Sequence, residues 1–244
     1  MPIPQREHLS RPAIRPETVK AAARHQMAEH GTAGLTLRGI ARELGVTAPA
    51  IYNYFPHLDD LITALIIDAF TDLGQAMQAA DSALPTAPPA DRAMAQCLAY
   101  RRWATEHPLD FQLIYGNPIP GYLAPADITI PLARRPFLGL FACFLEAHQA
   151  GNLQIPAAYA GVPAETHRAI SAWRQLSGIE MPDALLALLL SGWARIHGMV
   201  MLELFHHIQP LVGEGEAFYR YELEAFLRQL GLQASPSTGT APPA

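Results

Sequence analysis

The sequence predicts an all-α protein: a small N-terminal three-helix domain of helix-turn-helix type, followed by a larger helical domain. Three observations carry this. Apolar residues recur at helical spacing through most of the 244 residues. Pro, Thr and Asp stand where helices begin, and Gly stands where they end. No stretch of any length alternates with the period of two that a strand needs, and no internal repeat is present.

Residues 1–14 carry Pro2, Pro4 and Pro12 among several charges and read as a flexible arm. Pro16 suits the first turn of a helix that runs to about His30, with Val19, Ala22, Ala23 and Met27 inward, and Gly31 stops it. Thr36 is placed to N-cap a second helix whose Leu37, Ile40, Ala41 and Leu44 share a face. Gly45 supplies the left-handed residue that ends it, and Val46 fills the corner. Thr47 is read as the cap of a third helix over 47–54, with Pro49 in its first turn and Ile51 and Phe55 pointing to the core.

The domain boundaries read as follows: arm 1–14, helix-turn-helix domain 15–58, connecting helix 59–84, large helical domain 85–232, disordered tail 233–244. The connecting helix has Asp59 and Asp60 in its first turn, where acids suit the helix dipole, and ends before the Pro-rich stretch 84–90. Further helices are expected from Asp91 to about His107, over about 132–150, over 165–177, from Pro182-Asp183 to about Ile208, and from Gly213-Glu214 to about Leu230. A short turn is expected over 109–115. Residues 116–131, with four prolines, read as a long irregular crossing. The tail ASPSTGTAPPA is low in complexity.

Composition narrows the function. With 50% hydrophobic and 16% charged residues the chain is a packed globule, not a disordered one. No uninterrupted apolar run reaches membrane-span length, and no apolar leader core opens the chain, so no membrane partner and a cytoplasmic location are expected. Cys97 and Cys143 read as reduced, buried thiols. The net charge of −5 is uneven. Residues 1–58 hold seven Lys/Arg against four Glu, an excess of +3, and the rest holds ten against eighteen, −8. A basic end on an acidic body suits a small domain that meets phosphate. A helix-turn-helix lays its second helix in a DNA major groove, so double-stranded DNA is the partner that the motif itself points to.

The residues AEHG at 28–31, TLRGIARELGV at 36–46, and Ala50-Ile51-Tyr52 with Tyr54-Phe55 closely resemble the N-terminal domain of the tetracycline-repressor (TetR/AcrR) family of transcriptional regulators over about residues 15–62. WARIHG at 193–198 and YGNPIPGY at 115–122 resemble the Trp-His-Gly group of C-terminal ligand domains in that family. The resemblance implies that Ala48, Pro49, Tyr52 and Asn53 face base edges. Asn53 has the amide for adenine, while Ala48 and Pro49 offer apolar contact to a thymine methyl. Thr47, Tyr52 and Tyr54 carry hydroxyls suited to phosphate, and Arg38 is placed for backbone or guanine contact. Two positions depart from the family pattern. Leu58 stands where a phosphate-binding Lys is usual, with His57 as a partial substitute, and Tyr54 replaces the usual His. Arg6, Arg11 and Arg15 of the arm are placed to compensate.

In the large domain, Trp103, Phe111, Tyr115, Phe137, Phe141, Phe144, Trp173 and Trp193 are candidates for one apolar effector site, with His148 and His197 as orienting polar groups. For each ring taken singly, core packing is the alternative. Glu203 and His207, at i and i+4, are too few for a metal site, and neither metal nor cofactor is expected. Residues 183–208 and 214–230 are expected to form a homodimer interface, because a helix apolar nearly all round must be covered on several sides. The combined expectation is a ligand-responsive DNA-binding regulator, a repressor released from a palindromic operator by a small molecule, and no enzyme. A small all-helical enzyme and a constitutive DNA-binding protein are the alternatives. Against the enzyme, the chain has no GxSxG, Gly-rich phosphate loop, HExxH or paired Cys motif.

Overall fold

The computed structural model describes residues 14–159, 161–177 and 180–235. Most of the arm, with Arg6 and Arg11, and the tail beyond Ser235 lie outside the described residues. The α-helices in order are α1 Pro16–His30, α2 Leu37–Glu43, α3 Ala48–Tyr52, α4 Leu58–Ser82, α5 Pro89–Glu106, α6 Pro108–Tyr115, α7 Ala126–Arg134, α8 Leu138–Gln149, α9 Ala164–Ser177, α10 Asp183–Leu204, α11 Gln209–Val212 and α12 Gly215–Gln229. Single 3-10 turns occur at Thr32–Gly34, Arg135–Phe137 and Ala157–Tyr159. No strand occurs among the described residues.

The chain divides into two compact units, residues 1–65 with 115–124 and residues 66–114 with 125–244. In the first, Val19, Ala23, Met27, Ile40, Ile51 and Leu61 make the core. Thr36 caps α2 as expected: its Oγ1 accepts from the Gly39 N–H at 3.0 Å. The end of α2 is a Schellman turn. Gly45 has φ +64°, its N–H donates to Arg42 O, and Val46 N–H donates to Ala41 O at 2.9 Å. Thr47 is a correction. It stands at the N-cap position of α3, but its side chain makes no capping bond. The helix itself covers only 48–52, although backbone bonds from Tyr54 and Phe55 to Ile51 O extend the turn. A start to α4 comes instead from Asp60, whose carboxylate accepts from the His57 N–H at 2.8 Å, the reach-back half of a capping box. Within the same unit the Tyr122 and Thr63 hydroxyls are 2.9 Å apart, in hydrogen bond.

In the second unit α5 packs on α8, α10 and α12. Tyr100, Phe111, Leu185 and Tyr219 are fully buried, and the Tyr219 hydroxyl donates to Cys97 O at 3.0 Å. Cys97 and Cys143 are both free and buried, as expected. The predicted crossing is shorter than four prolines suggest, because α7 takes in Pro131. One proline deletes one backbone donor, here the one facing Asp127, and the rest of the ladder holds the turn. The 132–150 helix accordingly resolves into the end of α7, a 3-10 turn and α8. Likewise α10 stops at Leu204, and α11 covers part of the gap to α12. At the start of the predicted tail, the Ser235 N–H and hydroxyl donate to the two Asp91 oxygens at 2.6 and 2.8 Å.

Two helical stretches, Ala126–Gln149 and Asp183–Leu204, are long and apolar enough by length and composition alone to cross a membrane, a test that core helices also pass. Asp183–Leu204 buries Leu185, Leu186, Leu188, Leu189, Ile196 and Val200 within the unit. It also carries Glu203, which is ion-paired to Arg101 at 2.6 Å. His206 and His207 are exposed beyond the end of this helix.

Candidate nucleic-acid interface and effector cleft

The short third helix sorts its side chains by depth. Ile51 is fully buried and Phe55 nearly so, at i and i+4, which fixes the helix on its unit. The other face carries Pro49, Tyr52 and Asn53, all exposed, with Ala48 half-buried beside them and Thr47 exposed at the entry. Arg38, in the first turn of α2, is exposed, and so is Arg42 one turn on. Among the described residues neither guanidinium has a carboxylate partner. Arg42 is one of the seven basic residues counted over 1–58 but is not among the predicted DNA contacts. Its position one turn after Arg38, on the helix face away from Ile40 and Ala41, was the available signal. The Tyr54 ring is exposed, but its hydroxyl donates to Ile14 O at 2.7 Å and so ties the start of α1 to the end of α3. The His57 ring is exposed, and Leu58 is half-buried as the first residue of α4.

In the second unit six of the predicted effector residues come together. The Phe111 ring stacks on His197 at 5.5 Å between centroids, and His197 lies against Trp193 at 5.2 Å. Phe137 meets Trp193 edge-on at 5.9 Å and Phe141 at 6.4 Å, and Phe141 meets Trp173 at 6.0 Å. Tyr100, which the sequence reading passed over, completes the cluster. It contacts Phe111 and Phe137, each at 5.8 Å, and its hydroxyl lies 2.7 Å from His197 Nδ1. Its spacing from Cys97 and Trp103, three residues each way, was the signal that it faces inward. Burial lowers the His197 pKa, so the ring is held neutral and can hydrogen-bond as a neutral imidazole.

Beside this cluster an apolar cleft opens where α5, α8, α10 and α12 meet. Met94, Cys97, Phe141, Phe144, Trp193 and Phe226 are among its walls, and no charged residue lines it. Its cavity volume is about 30 Å³, about the space of one water. Burial, aided by Cys143, pushes the Cys97 thiol up to about 12, so this wall too is neutral. The remaining predicted residues lie elsewhere. Trp103 stacks on His107 at 5.2 Å, and its indole N–H donates to Asp72 at 2.8 Å. Tyr115 falls with the first unit, where burial pushes its phenol pKa up. His148 is half-buried near the end of α8, its Nδ1 has no hydrogen-bond partner among the described residues, and it does not line the cleft.

Comparison with known proteins finds two family matches along the chain. Residues 20–65 match the model for bacterial regulatory proteins of the tetR family. Residues 93–226 match a tetracyclin repressor-like C-terminal domain. The HTH-type transcriptional regulators Rv1816 of Mycobacterium tuberculosis and Mb1846 of Mycobacterium bovis are each 33% identical over 182 residues, covering 75% of this chain and 77% of the relative. The crystal structure of regulatory protein SCO4313 is similar at 31% identity with a TM-score of 0.69, covering 87% of this chain and 95% of that one. A Rhodococcus sp. RHA1 protein of unknown function shares the fold, at 21% identity and a TM-score of 0.66 over 94% of this chain and all of that one. With its capped helix-turn-helix and its helical C-terminal unit, the chain belongs to the TetR family of bacterial transcriptional regulators.

Proposed function

We propose that this chain is a cytoplasmic repressor that binds a palindromic operator as a homodimer and leaves it when a small, mostly apolar molecule occupies the cleft of the second unit. The observation that carries the reading is the exposed face of α3. Pro49, Tyr52 and Asn53 stand clear of a helix anchored by Ile51 and Phe55, with Arg38 close by in sequence on α2. Such a helix offers apolar and amide readout of bases, while Arg38, Arg42 and the Thr47 and Tyr52 hydroxyls meet phosphate. The cleft supports the effector half. Its apolar, uncharged walls suit an apolar ligand, and with a cavity volume of about 30 Å³ the cleft has to open further to admit one. Such a ligand acts only by binding one conformation of the protein more tightly than another.

Selection of bound fragments from a random DNA pool tests the reading, and a palindrome is the expected result. On the selected operator, Arg38→Ala and Tyr52→Ala each weaken binding by about tenfold or more, and Arg38→Ala lowers the salt slope by about one. Neither change lowers the melting temperature, since both side chains are exposed. Recovery of no enriched sequence refutes the proposal.

The dimer rests on α10 and α12. Leu190, Leu202 and Phe205 stay exposed on the protomer, as does Tyr221 of α12. Leu189, by contrast, is 4% exposed and faces the protomer's own cleft, so it is no probe of association. Leu202→Glu is therefore the informative change. It is expected to halve the mass seen in light scattering while leaving helix content intact, and an unchanged mass would remove this interface.

A further inference from the structure

A second cleft lies in the same unit and shares no lining residue with the apolar one. One wall is a single face of α4, with Gly74, Gln78 and Asp81 at i, i+4 and i+7. Gln96 of α5 forms the inner end, and Arg135 and Gly139 stand opposite. Its cavity volume is about 280 Å³. Unlike the apolar cleft, this one is lined by amides and charges.

Its inner end has an unused acceptor. Gln96 is 1% exposed, and its amide nitrogen donates to Asp81 Oδ1 and to Cys143 Sγ, both at 3.3 Å. Among the described residues its carbonyl oxygen accepts from no donor, and it faces Gly139 so closely that a Cβ there would come within 2.8 Å. That oxygen faces the cleft, where a ligand N–H can donate to it. The charge around it has a sign. Asp81 and Glu146 share one cation, Arg92, at 2.9 Å each, so the network behind Gln96 carries one net negative charge. At the rim the exposed guanidinium of Arg135 has no carboxylate partner among the described residues. Negative inside and positive at the mouth is the complement of a small molecule that is cationic at one end and anionic at the other.

We propose that this cleft binds a small amino acid–like zwitterion, its ammonium group directed at Gln96 Oε1 and Asp81 and its carboxylate at Arg135. The ammonium donates to the Gln96 carbonyl, and its charge faces Asp81, whose oxygens already accept from Arg92, Gln96 and Cys143. The planar fork of Arg135 suits a carboxylate. This site is independent of the effector cleft and of DNA binding.

Calorimetric titration of the full chain with each of the standard amino acids, at about 10 mM, tests the proposal. At least one is expected to give saturable heat. Its decarboxylated amine and its deaminated acid should each bind at least tenfold more weakly. Arg135→Ala, on the surface, should weaken the amino acid at least tenfold while leaving the amine unchanged. Gly139→Ala, which sets a methyl group against the Gln96 carbonyl, should weaken both, with circular dichroism confirming the fold. Saturable heat from none of the amino acids overturns the proposal. So does a deaminated acid that binds as well as its parent, or an affinity that Arg135→Ala leaves unchanged.

Discussion

Arg101→Ala lowers the unfolding free energy by about 3–5 kcal/mol, the range found when one partner of a buried ion pair is removed. Arg101 leaves α5 and meets Glu203 of α10 in two parallel bonds, Nε to Oε2 at 2.8 Å and the terminal nitrogen to Oε1 at 2.6 Å. Both side chains are nearly covered, at 12% and 13% exposure. A third bond at 3.0 Å reaches Glu216 of α12, but that carboxylate is 57% exposed and contributes little. The cost of truncation is therefore the carboxylate of Glu203 left without its cation in a place water hardly reaches. Urea unfolding followed by circular dichroism measures it. The control is the pair Arg101→Met with Glu203→Met, which leaves no buried charge and should cost far less than the single change. Equal losses in the two variants would show that packing by the arginine stem, not charge, holds α5 to α10.

Ile51→Ala is the second large effect. Ile51 has no exposed surface and sits under the reading face of α3. Removing it from a small core costs about 2–5 kcal/mol. Because α3 is only five residues long, it has little helical stability of its own, and packing holds it in shape. Operator binding should be lost in a mobility-shift assay at any practical concentration. The apolar cleft, built wholly from the other unit, should keep its ligand response, read as a rise in melting temperature. Retained operator binding would mean that α3 is held by something other than this anchor.

The legible part of the molecule was the part written in local chemistry. Thr36, Gly45 and the Ile51/Phe55 pair each act within a few residues of themselves, so their roles could be read directly. Thr47 misled because a threonine before a helix is favoured as a cap in general, whereas here the position is filled without the bond. Pro131 misled in the other direction: prolines were counted as breaks, but a single lost donor is tolerated inside α7. The aromatic cluster was half legible. Phe111, Phe137, Phe141, Trp173, Trp193 and His197 meet, yet nothing in their spacing distinguishes them from Trp103, which turns to Asp72 and His107. Tyr100 was missed because its importance lies in a hydroxyl that finds His197, a partner 97 residues away. The polar cleft was invisible for the same reason. Asp81, Gln96 and Arg135 are unremarkable in sequence, and only the packing of α4, α5 and α8 sets them around one space.

The segment 115–124 gives the reading end of this protein an unusual pedigree. It is encoded beyond α5 and α6, yet it is counted with residues 1–65, and its Tyr122 hydrogen-bonds Thr63. The DNA-binding unit is thus discontinuous in the gene. A fragment cut at the end of the helix-turn-helix omits one of its pieces, and a chimera that grafts residues 1–65 onto another regulator leaves the Thr63 hydroxyl without that partner. A graft of the whole compact unit between relatives therefore carries residues 115–124 along with residues 1–65.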